Sequence, residues 1–195
     1  MGPVAEGIKR IADVALSAAA LLCLSPLLGI VWLLIRLSSP GPAIFRQKRA
    51  GKDMQPFVLY KFRTMHSDVD VFGVSPKSAD DSRLTGIGRF LREHSLDELP
   101  QLWNVLKGEM SLVGPRPLYM SQAQEFTPRQ AKRLEVSPGL TGLAQIYGRG
   151  NIWHEDKLEI DVYYVEHASL WLDLRIVLAS VISVLSKGGT YQEWG

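Results

Sequence analysis

Cysteine is almost absent from this sequence, because Cys23 is the single one among 195 residues. A lone cysteine cannot close a disulfide within the chain, and no group of cysteines and histidines has the spacing of a zinc site. The formal net charge is only +2, which suits neither an acidic tail nor a basic domain that binds nucleic acid. The Walker A loop and the dinucleotide-binding fingerprint are also missing. An ordinary kinase or dehydrogenase is therefore unsupported, and no nucleic-acid partner is expected.

Charge is missing altogether from residues 14–35, which read VALSAAALLCLSPLLGIVWLLI. At about 1.5 Å per residue, a straight helix of this length could cross the roughly 30 Å hydrocarbon core of a membrane. However, Ser25 and Pro26 lie near the middle of the run, and a proline inside a helix removes a backbone donor and favours a kink. Each arm would then measure about 16 Å, half the hydrocarbon thickness. A kinked single span, a buried core helix and a re-entrant helix are the alternatives.

Basic residues flank the uncharged run on both sides. Lys9 and Arg10 precede it, and the basic residues that follow it include Arg36, Arg46, Lys48 and Arg49. Because basic flanks of membrane segments stay on the cytoplasmic side, this pattern favours a helix that enters and leaves the membrane by the same face. We therefore predict a re-entrant membrane segment over residues 1–37, followed by a cytoplasmic domain over residues 38–195.

The remaining chain is long enough for one compact domain with its own core. Residues 57–62 predict a short strand, and the polar residues 66–81 predict a loop. Helical periods of apolar residues predict helices over residues 83–93, 99–106 and 127–134. Residues 170–185 are apolar almost all round, which suits either a buried core helix or a helix in the membrane interface. The pattern predicts an α+β fold that is predominantly helical.

Two adjacent carboxylates, Asp97 and Glu98, lie in the stretch Ser95-Leu-Asp-Glu-Leu-Pro-Gln101. A helix tolerates Pro100 only in its first turn, so the helix should start at or after Asp97, with both carboxylates at its N-terminus. The positive end of the helix dipole would keep an aspartate there ionised at neutral pH. Ser95 followed by Glu98 also matches a capping box, in which the side chains only terminate the helix. A catalytic pair and a structural cap are both open at this point.

Two arginines accompany the carboxylate pair. Arg92 precedes Asp97 by five residues, and Arg116 lies between two prolines in Gly114-Pro-Arg-Pro117. The prolines nearly fix the backbone of Arg116, and the planar fork of arginine matches two phosphate oxygens. Each arginine alone is more often a solvated surface charge, but the combination favours a phosphate site.

Further positive charge and tight turns occur elsewhere in the chain. Lys61 and Arg63 follow the predicted strand and add positive charge. The glycine-bearing turns at 139–142 and 148–150, the second with Arg149, are expected to expose backbone donors.

Several motifs follow one another along the chain. They are Ser25-Pro26, Tyr60-Lys-Phe-Arg-Thr-Met65, the run from Ser95 to Gly108, Met110-Ser-Leu-Val-Gly-Pro-Arg-Pro117, Pro138-Gly-Leu-Thr-Gly-Leu-Ala-Gln145, Gly148-Arg149 and Asp161-Val-Tyr-Tyr164. In these residues the chain resembles the bacterial sugar transferase family, the monotopic phosphoglycosyl transferases, over essentially its whole length. The resemblance implies a re-entrant helix broken at Ser25 and Pro26, packed against a small catalytic domain on the cytoplasmic face of a bacterial inner membrane.

The resemblance also implies a two-step transfer of a phospho-sugar. Asp97 would attack the phosphorus that carries the sugar of a UDP-sugar, release UMP and pass the phospho-sugar to polyprenyl (undecaprenyl) phosphate. Asp97 is also implied as a ligand of a Mg²⁺ cofactor, and Glu98 as an acid/base or positioning partner. The substrate-binding residues that the resemblance implies are Lys61, Arg92, Arg116 and Arg149. Cations are needed because a carboxylate that approaches a diphosphate meets strong repulsion.

Larger members of the family carry membrane spans before the catalytic part, so the chain is expected to be the minimal catalytic unit. It would perform the first membrane step of glycoconjugate assembly, with a homo-oligomer as an open option. Two rival hypotheses use the same sequence features. One is a membrane-bound, metal-dependent hydrolase of nucleotide-sugars, and the other is a membrane-tethered adaptor in which Asp97 and Glu98 only cap a helix.

Overall fold

The computed structural model describes residues 1–67, 69, 76, 80–147 and 152–186 of the chain. Most of the secondary structure in them is helical, and the strands form two small two-stranded sheets. The predicted class, α+β and predominantly helical, is confirmed at this level.

The described residues form eight α-helices and four strands. In chain order they are α1 (Pro3–Ser38), β1 (Ile44–Ala50), β2 (Pro56–Phe62), α2 (Gly86–Glu93), α3 (Gln101–Lys107), β3 (Ser111–Val113), α4 (Met120–Gln124), α5 (Pro128–Ala131), β4 (Gly139–Thr141), α6 (Leu143–Tyr147), α7 (His154–His167) and α8 (Leu170–Ser186). Short 3₁₀ turns occupy Lys52–Met54, Leu96–Glu98 and Lys132–Leu134. Strands β1 and β2 form an antiparallel hairpin, and β3 and β4 pair in parallel.

Most of the predicted elements are present near their expected positions. The strand predicted over 57–62 is β2, and the helices predicted over 83–93 and 99–106 are α2 and α3. Thr85 caps α2, because its Oγ1 accepts a hydrogen bond from the amide of Gly88 at 2.9 Å. Gly108 ends α3 with a φ of 85°, the left-handed conformation that glycine adopts without steric cost.

Helix α1 continues through Pro26, so the structure has one long helix here and no non-helical break. The hydroxyl of Ser25 donates to the carbonyl of Leu22 at 2.8 Å. That carbonyl lies four residues before Pro26 and is the one left without its helical partner by the missing proline amide. Ser25 therefore compensates for Pro26 within the helix, while the re-entrant path stays a prediction.

The buried residues of α1 repeat at helical spacing along one face and are Asp13, Ser17, Val31 and Ile35. Among the described helices, α1 is the one long and apolar enough to cross a membrane, with a mean hydropathy of 2.4 in its most apolar window. Large apolar side chains cover its other face, including Ile8, Ile11, Leu22, Ile30, Trp32, Leu33 and Leu37.

The N-terminal part of α1 is fixed to the domain by polar contacts. Arg10 donates to the carbonyls of Val105 and Leu106 at 2.6 and 2.9 Å, so it caps the C-terminal end of α3. The carboxylate of Asp13 accepts a hydrogen bond from the amide of Leu112 at 3.1 Å. These contacts attach this part of α1 to α3 and β3.

The C-terminal part of α1 packs into an apolar cluster of the same domain. Val31 and Ile35 lie there with Ala43, Phe62 and Leu91. Both parts of the helix, before and after Pro26, therefore contact one globular body.

Helix α8 has one buried and one exposed apolar face. Ile176 is buried against Val113 and Tyr164, while the apolar side chains exposed on the other face include Trp171, Leu174, Leu178 and Ile182. The prediction of a core helix is thus met by one face only, and the exposed face has the character expected at a membrane interface.

Candidate active site

Asp97 and Glu98 lie in the 3₁₀ turn Leu96–Glu98, directly before α3. Ser95 opens this turn with a φ of 55°, a left-handed conformation that is uncommon for a residue with a side chain. Pro100 follows at the N-cap of α3 with a φ of −60°, where its missing amide breaks no helical hydrogen bond. The predicted place of both carboxylates, at the start of a helix, is confirmed.

The capping-box hypothesis for Ser95 and Glu98 is wrong. The side chain of Ser95 makes no capping hydrogen bond. Glu98 instead forms an ion pair with Lys61, with 2.6 Å between Nζ and Oε1. Arg116 approaches the same carboxylate, with its Nη2 at 2.7 Å from Oε1 and its Nη1 at 3.5 Å from Oε2. The structure thus brings together Lys61, Glu98 and Arg116 from three separate parts of the chain.

Asp97 is buried but has no hydrogen bond or ion pair within the described part of the chain. Burial raises the pKa of Asp97, and neighbouring Glu98 raises it further, while Lys61, Arg92 and Arg116 oppose this rise. Desolvation thus outweighs the surrounding positive charge and opposes ionisation of Asp97. That Asp97 is ionised at neutral pH stays a prediction.

The pKa of Glu98 is shifted in the opposite direction. Burial by itself would raise the pKa of its carboxyl group, but Arg116 and Lys61 together hold that pKa well below its usual range. Arg116 in turn has a raised pKa, chiefly because of Glu98. Two neighbouring carboxylates with pKa values pushed apart are typical of a site in which each has a different role.

Asn104 connects the carboxylate helix to the strand that carries Lys61. Its side chain is fully buried, accepts from the amide of Tyr60 at 3.1 Å, and donates to the carbonyl of Val58 at 2.7 Å. These bonds fix α3 against β2 and so set the position of Lys61 relative to Glu98. The sequence analysis assigned no role to Asn104, although a polar residue on the apolar face of a short helix is a usable signal.

The backbone that carries Arg116 contacts strand β4. The amide of Gly139 donates to the carbonyl of Pro115 at 2.9 Å, and the amide of Gly114 donates to the carbonyl of Thr141 at 2.9 Å. A Cβ atom on Gly114 would lie 2.4 Å from the carbonyl oxygen of Ser137, so only glycine permits this approach. The amide of Gly139 is therefore not the exposed donor that the sequence predicted, since it supports the backbone of the arginine loop.

The remaining predicted cations have different positions. Arg92 lies in the last turn of α2, close enough for its charge to lower the pKa of Asp97. Arg63 does not face the carboxylates. Its guanidinium donates to the carbonyls of Ile35, Ser39 and Pro40 and so caps the C-terminal end of α1. Arg149 lies outside the described residues, as does the rest of the 148–150 turn.

Arg49 is a cation near the site that the sequence analysis did not select. Its guanidinium stacks over the ring of Tyr119, 3.7 Å from the ring centroid, and donates to the carbonyl of Pro117 at 3.4 Å. Burial lowers the pKa of Arg49, and Arg116 lowers it further. A basic side chain beside Gly114-Pro-Arg-Pro117 adds positive potential where a phosphate would bind.

The described residues hold no group of three metal-binding side chains. Mg²⁺ is commonly held by one or two carboxylates together with water and the phosphate oxygens of a substrate, so such a group is not required. The carboxylate of Asp97 suits this use, since no described residue bonds it, whereas Lys61 and Arg116 occupy that of Glu98. The donor set fits magnesium bound jointly by Asp97 and a diphosphate.

Comparison with known proteins gives the same family along the whole chain. A family model described as bacterial sugar transferase matches residues 4–187. The chain is 46% identical over 186 residues to the "Uncharacterized sugar transferase EpsL" of Bacillus subtilis, covering 95% of this chain and 91% of that protein. It is 44% identical over 191 residues to a UDP-glucose:undecaprenyl-phosphate glucose-1-phosphate transferase of Caulobacter vibrioides, covering 94% of this chain and 72% of that protein.

A UDP-glucose:undecaprenyl-phosphate glucose-1-phosphate transferase of Escherichia coli is 42% identical over 192 residues, covering 94% of this chain and 41% of that protein. The described carboxylate turn, its cations and the glycine-supported arginine loop all lie within the matched range. The chain belongs to the bacterial sugar transferase family.

Proposed function

We propose that this protein transfers a phospho-sugar from a UDP-sugar to undecaprenyl phosphate, with Asp97 as the nucleophile. The observation that carries the proposal is that the two neighbouring carboxylates have different contacts. Glu98 is held by Lys61 and Arg116, while buried Asp97 has no hydrogen-bond partner among the described residues. Relatives named as UDP-glucose:undecaprenyl-phosphate glucose-1-phosphate transferases supply the substrate class.

The first step forms a bond between a carboxylate oxygen of Asp97 and the phosphorus that carries the sugar. The bond from this phosphorus to the bridging oxygen of the diphosphate breaks, and UMP leaves with that electron pair. In the second step an oxygen of the lipid phosphate attacks the same phosphorus, and the carboxylate of Asp97 leaves. Splitting the exchange in two lets a soluble donor and a lipid acceptor use one site in turn.

The surroundings of Asp97 support its role as nucleophile. No hydrogen bond within the described residues must break before it attacks, and burial raises its pKa, which makes the ionised oxygen more nucleophilic. Lys61, Arg92 and Arg116 offset the repulsion between this oxygen and the charged diphosphate. Magnesium bound at Asp97 would neutralise further charge on the phosphoryl oxygens.

Glu98 is better suited to positioning than to proton transfer. The pKa of Glu98 lies well below its usual range because of Arg116 and Lys61, so the group is ionised at neutral pH. Its carboxylate holds both cations by charge-assisted hydrogen bonds. We therefore assign Glu98 to orienting Lys61 and Arg116 toward the donor phosphates.

Contacts at both ends of α1 support a monotopic arrangement on the cytoplasmic face of the inner membrane. Arg10 binds the end of α3, and Arg63 binds the end of α1. A straight helix across the bilayer would place its ends about 30 Å apart, on opposite sides of the membrane. Only one end could then contact the domain. The exposed apolar faces of α1 and α8 are the surfaces that we propose to contact lipid.

The decisive experiment follows UMP release and protein mass together. The protein in vesicles that lack undecaprenyl phosphate is offered Mg²⁺ with UDP-glucose or UDP-N-acetylgalactosamine, and its intact mass is recorded before and after undecaprenyl phosphate is added. We expect a sugar-phosphate adduct on Asp97 that disappears with lipid acceptor. Asp97→Asn should lose the adduct, while Glu125→Gln, at an exposed carboxylate of the domain, should keep it.

Three outcomes would contradict the proposal. Sustained turnover of the donor to free sugar phosphate without lipid would indicate a hydrolase. UMP release that survives Asp97→Asn would remove Asp97 as the nucleophile, and absence of donor-dependent UMP release in the wild-type protein would favour the adaptor. Undiminished transfer after chelation of divalent cations would exclude the role given to magnesium.

A further inference from the structure

A buried ion pair joins Arg133 and Asp161. Arg133 belongs to the 3₁₀ turn Lys132–Leu134, and Asp161 belongs to α7. Their side chains are 3% and 4% exposed, which makes this the most buried ion pair among the described residues. Removing two charges from water costs roughly several kcal/mol per ion, so the burial of this pair is poor evidence that it stabilises the fold. The pair is therefore expected to have another role.

The guanidinium of Arg133 reaches the loop that carries Arg116. Its Nη2 donates to Asp161 Oδ2 at 2.6 Å and to the main-chain carbonyl of Arg116 at 2.7 Å, and its Nε lies 3.2 Å from the same carboxylate oxygen. The ring of Phe126 packs against the guanidinium, with 5.4 Å from its Cζ to the ring centroid. Arg133 is thus held in one orientation by Asp161 and Phe126 while it binds the backbone of Arg116.

The side chain of Arg116 needs this support because it is half-exposed and shares Glu98 with Lys61. Pro115 and Pro117 restrict the loop, but they donate no hydrogen bond to neighbouring elements. A bidentate arginine–phosphate contact depends on the placement of a planar group, so a small displacement of the backbone weakens it.

We propose that Arg133, oriented by Asp161, is a positioning residue that places Arg116 for binding of the donor diphosphate. This inference rests on the proposed function, since it takes Arg116 as the ligand of a diphosphate. Arg133 itself touches no substrate and acts through the carbonyl group of Arg116.

The test needs a variant that removes the hydrogen bond without leaving a buried charge. Arg133→Met alone would strand Asp161, whose pKa burial already raises, and this variant could simply unfold. The double variant Arg133→Met, Asp161→Leu replaces the pair with apolar groups of similar volume, which often preserves stability. The matched control is Arg129→Gln, Glu159→Gln, an exposed pair with a 2.7 Å contact from the neighbouring helix α5 to α7.

The measurement is binding of UDP in the presence of Mg²⁺, together with KM and kcat for UMP release. The double variant should unfold at the wild-type temperature or above, yet bind UDP about tenfold more weakly, as expected for one lost hydrogen bond that orients a ligand group. KM should rise by a similar factor and kcat should change by less than about twofold. Arg133→Lys should recover part of the affinity, and the control pair should change neither constant.

A double-mutant cycle separates positioning from general packing. In an Arg116→Ala background, the Arg133→Met, Asp161→Leu change should cause no further loss of UDP affinity, because its effect passes through the missing guanidinium. Equal losses with and without Arg116, or wild-type affinity in a folded double variant, would overturn the inference. Failure of the proposed function is recognised separately, since in that case the wild-type protein would bind UDP but would form no sugar-phosphate adduct and transfer nothing to undecaprenyl phosphate.

Discussion

At the scale of single residues, the two neighbouring carboxylates affect stability in opposite ways. Burial raises the pKa of Asp97, so its ionised form is disfavoured in the folded protein. A group of this kind stabilises the fold below its unfolded pKa and loses that contribution as the pH rises through its folded pKa. Asp97 therefore costs stability at neutral pH, which is common for a reactive group at an active site.

Removing the charge of Asp97 should stabilise the protein while abolishing activity. We expect Asp97→Asn to raise the thermal midpoint by roughly 2–4 °C, equivalent to about 1 kcal/mol in a chain of this size. Thermal unfolding at pH 7, compared with UMP release by the same sample, is the measurement. The difference in thermal midpoint should become smaller as the pH is lowered, because Asp97 of the wild type becomes protonated. An Asp97→Asn variant less stable than wild type at pH 7 would contradict the role of desolvation.

Glu98 should have the reverse pH dependence. Its pKa lies below the usual range, so it stabilises the fold above the unfolded pKa, and this contribution is lost as the pH falls below about 4. Glu98→Gln leaves Lys61 and Arg116 without their anion and should destabilise by about 2 kcal/mol at pH 7. Denaturant titrations at pH 7 and at low pH measure the free energy of unfolding of wild type and variant. The difference between the two proteins should be smaller at low pH, and a difference that does not change with pH would refute the ion-pair explanation.

At the scale of elements, the position of Lys61 depends on the contact between α3 and β2. Asn104→Ala removes two hydrogen bonds to the strand, so the amide of Tyr60 and the carbonyl of Val58 both lose their side-chain partner. We expect a loss of about 2–3 kcal/mol in the free energy of unfolding, together with slower UMP release even under conditions where the variant is folded. Gln124→Ala, at an exposed position of α4, is the control. A folded Asn104→Ala protein with wild-type kcat would show that α3 does not set the position of Lys61.

Part of the site was predictable from sequence because its residues lie in local motifs. Asp97, Glu98, Lys61 and Arg116 were selected in this way, and the described structure brings them together. The raised pKa of Asp97 was missed because burial depends on distant chain segments and no local pattern records it. Arg63 was misassigned because β2 ends at Phe62, so the alternation of side chains that governs Lys61 does not extend to it.

The helices and strands were likewise only partly predictable from local sequence. Strand β2 was predicted from its own apolar residues, but β1 was missed because Arg46, Lys48 and Arg49 hide any apolar alternation. Its strand conformation comes from pairing with β2, a long-range cause that local propensity does not contain. Helix α1 was recognised from composition, whereas its contacts with α3 and β3 could not be read from the sequence.

At the scale of the whole molecule, the contacts at both ends of α1 predict which side of the membrane each end occupies. In a Cys23→Ala background, Val4→Cys places a thiol near the start of α1, where Val4 is 79% exposed, and Trp153→Cys places one in the domain, where Trp153 is 84% exposed. A membrane-impermeant maleimide should label both positions from the same side of sealed vesicles. Labelling of the two positions from opposite sides would establish a single span.

Arg10 holds one end of α3, and the carboxylate turn lies at the other. The seven residues of α3 span about 10 Å, so the number of helical residues sets the distance from the carboxylate turn to Arg10 of α1. Lengthening α3 by one turn would move the carboxylate turn by about 5 Å relative to Arg10. Helix α3 is in this sense a spacer of fixed length between the apolar helix α1 and the carboxylate turn.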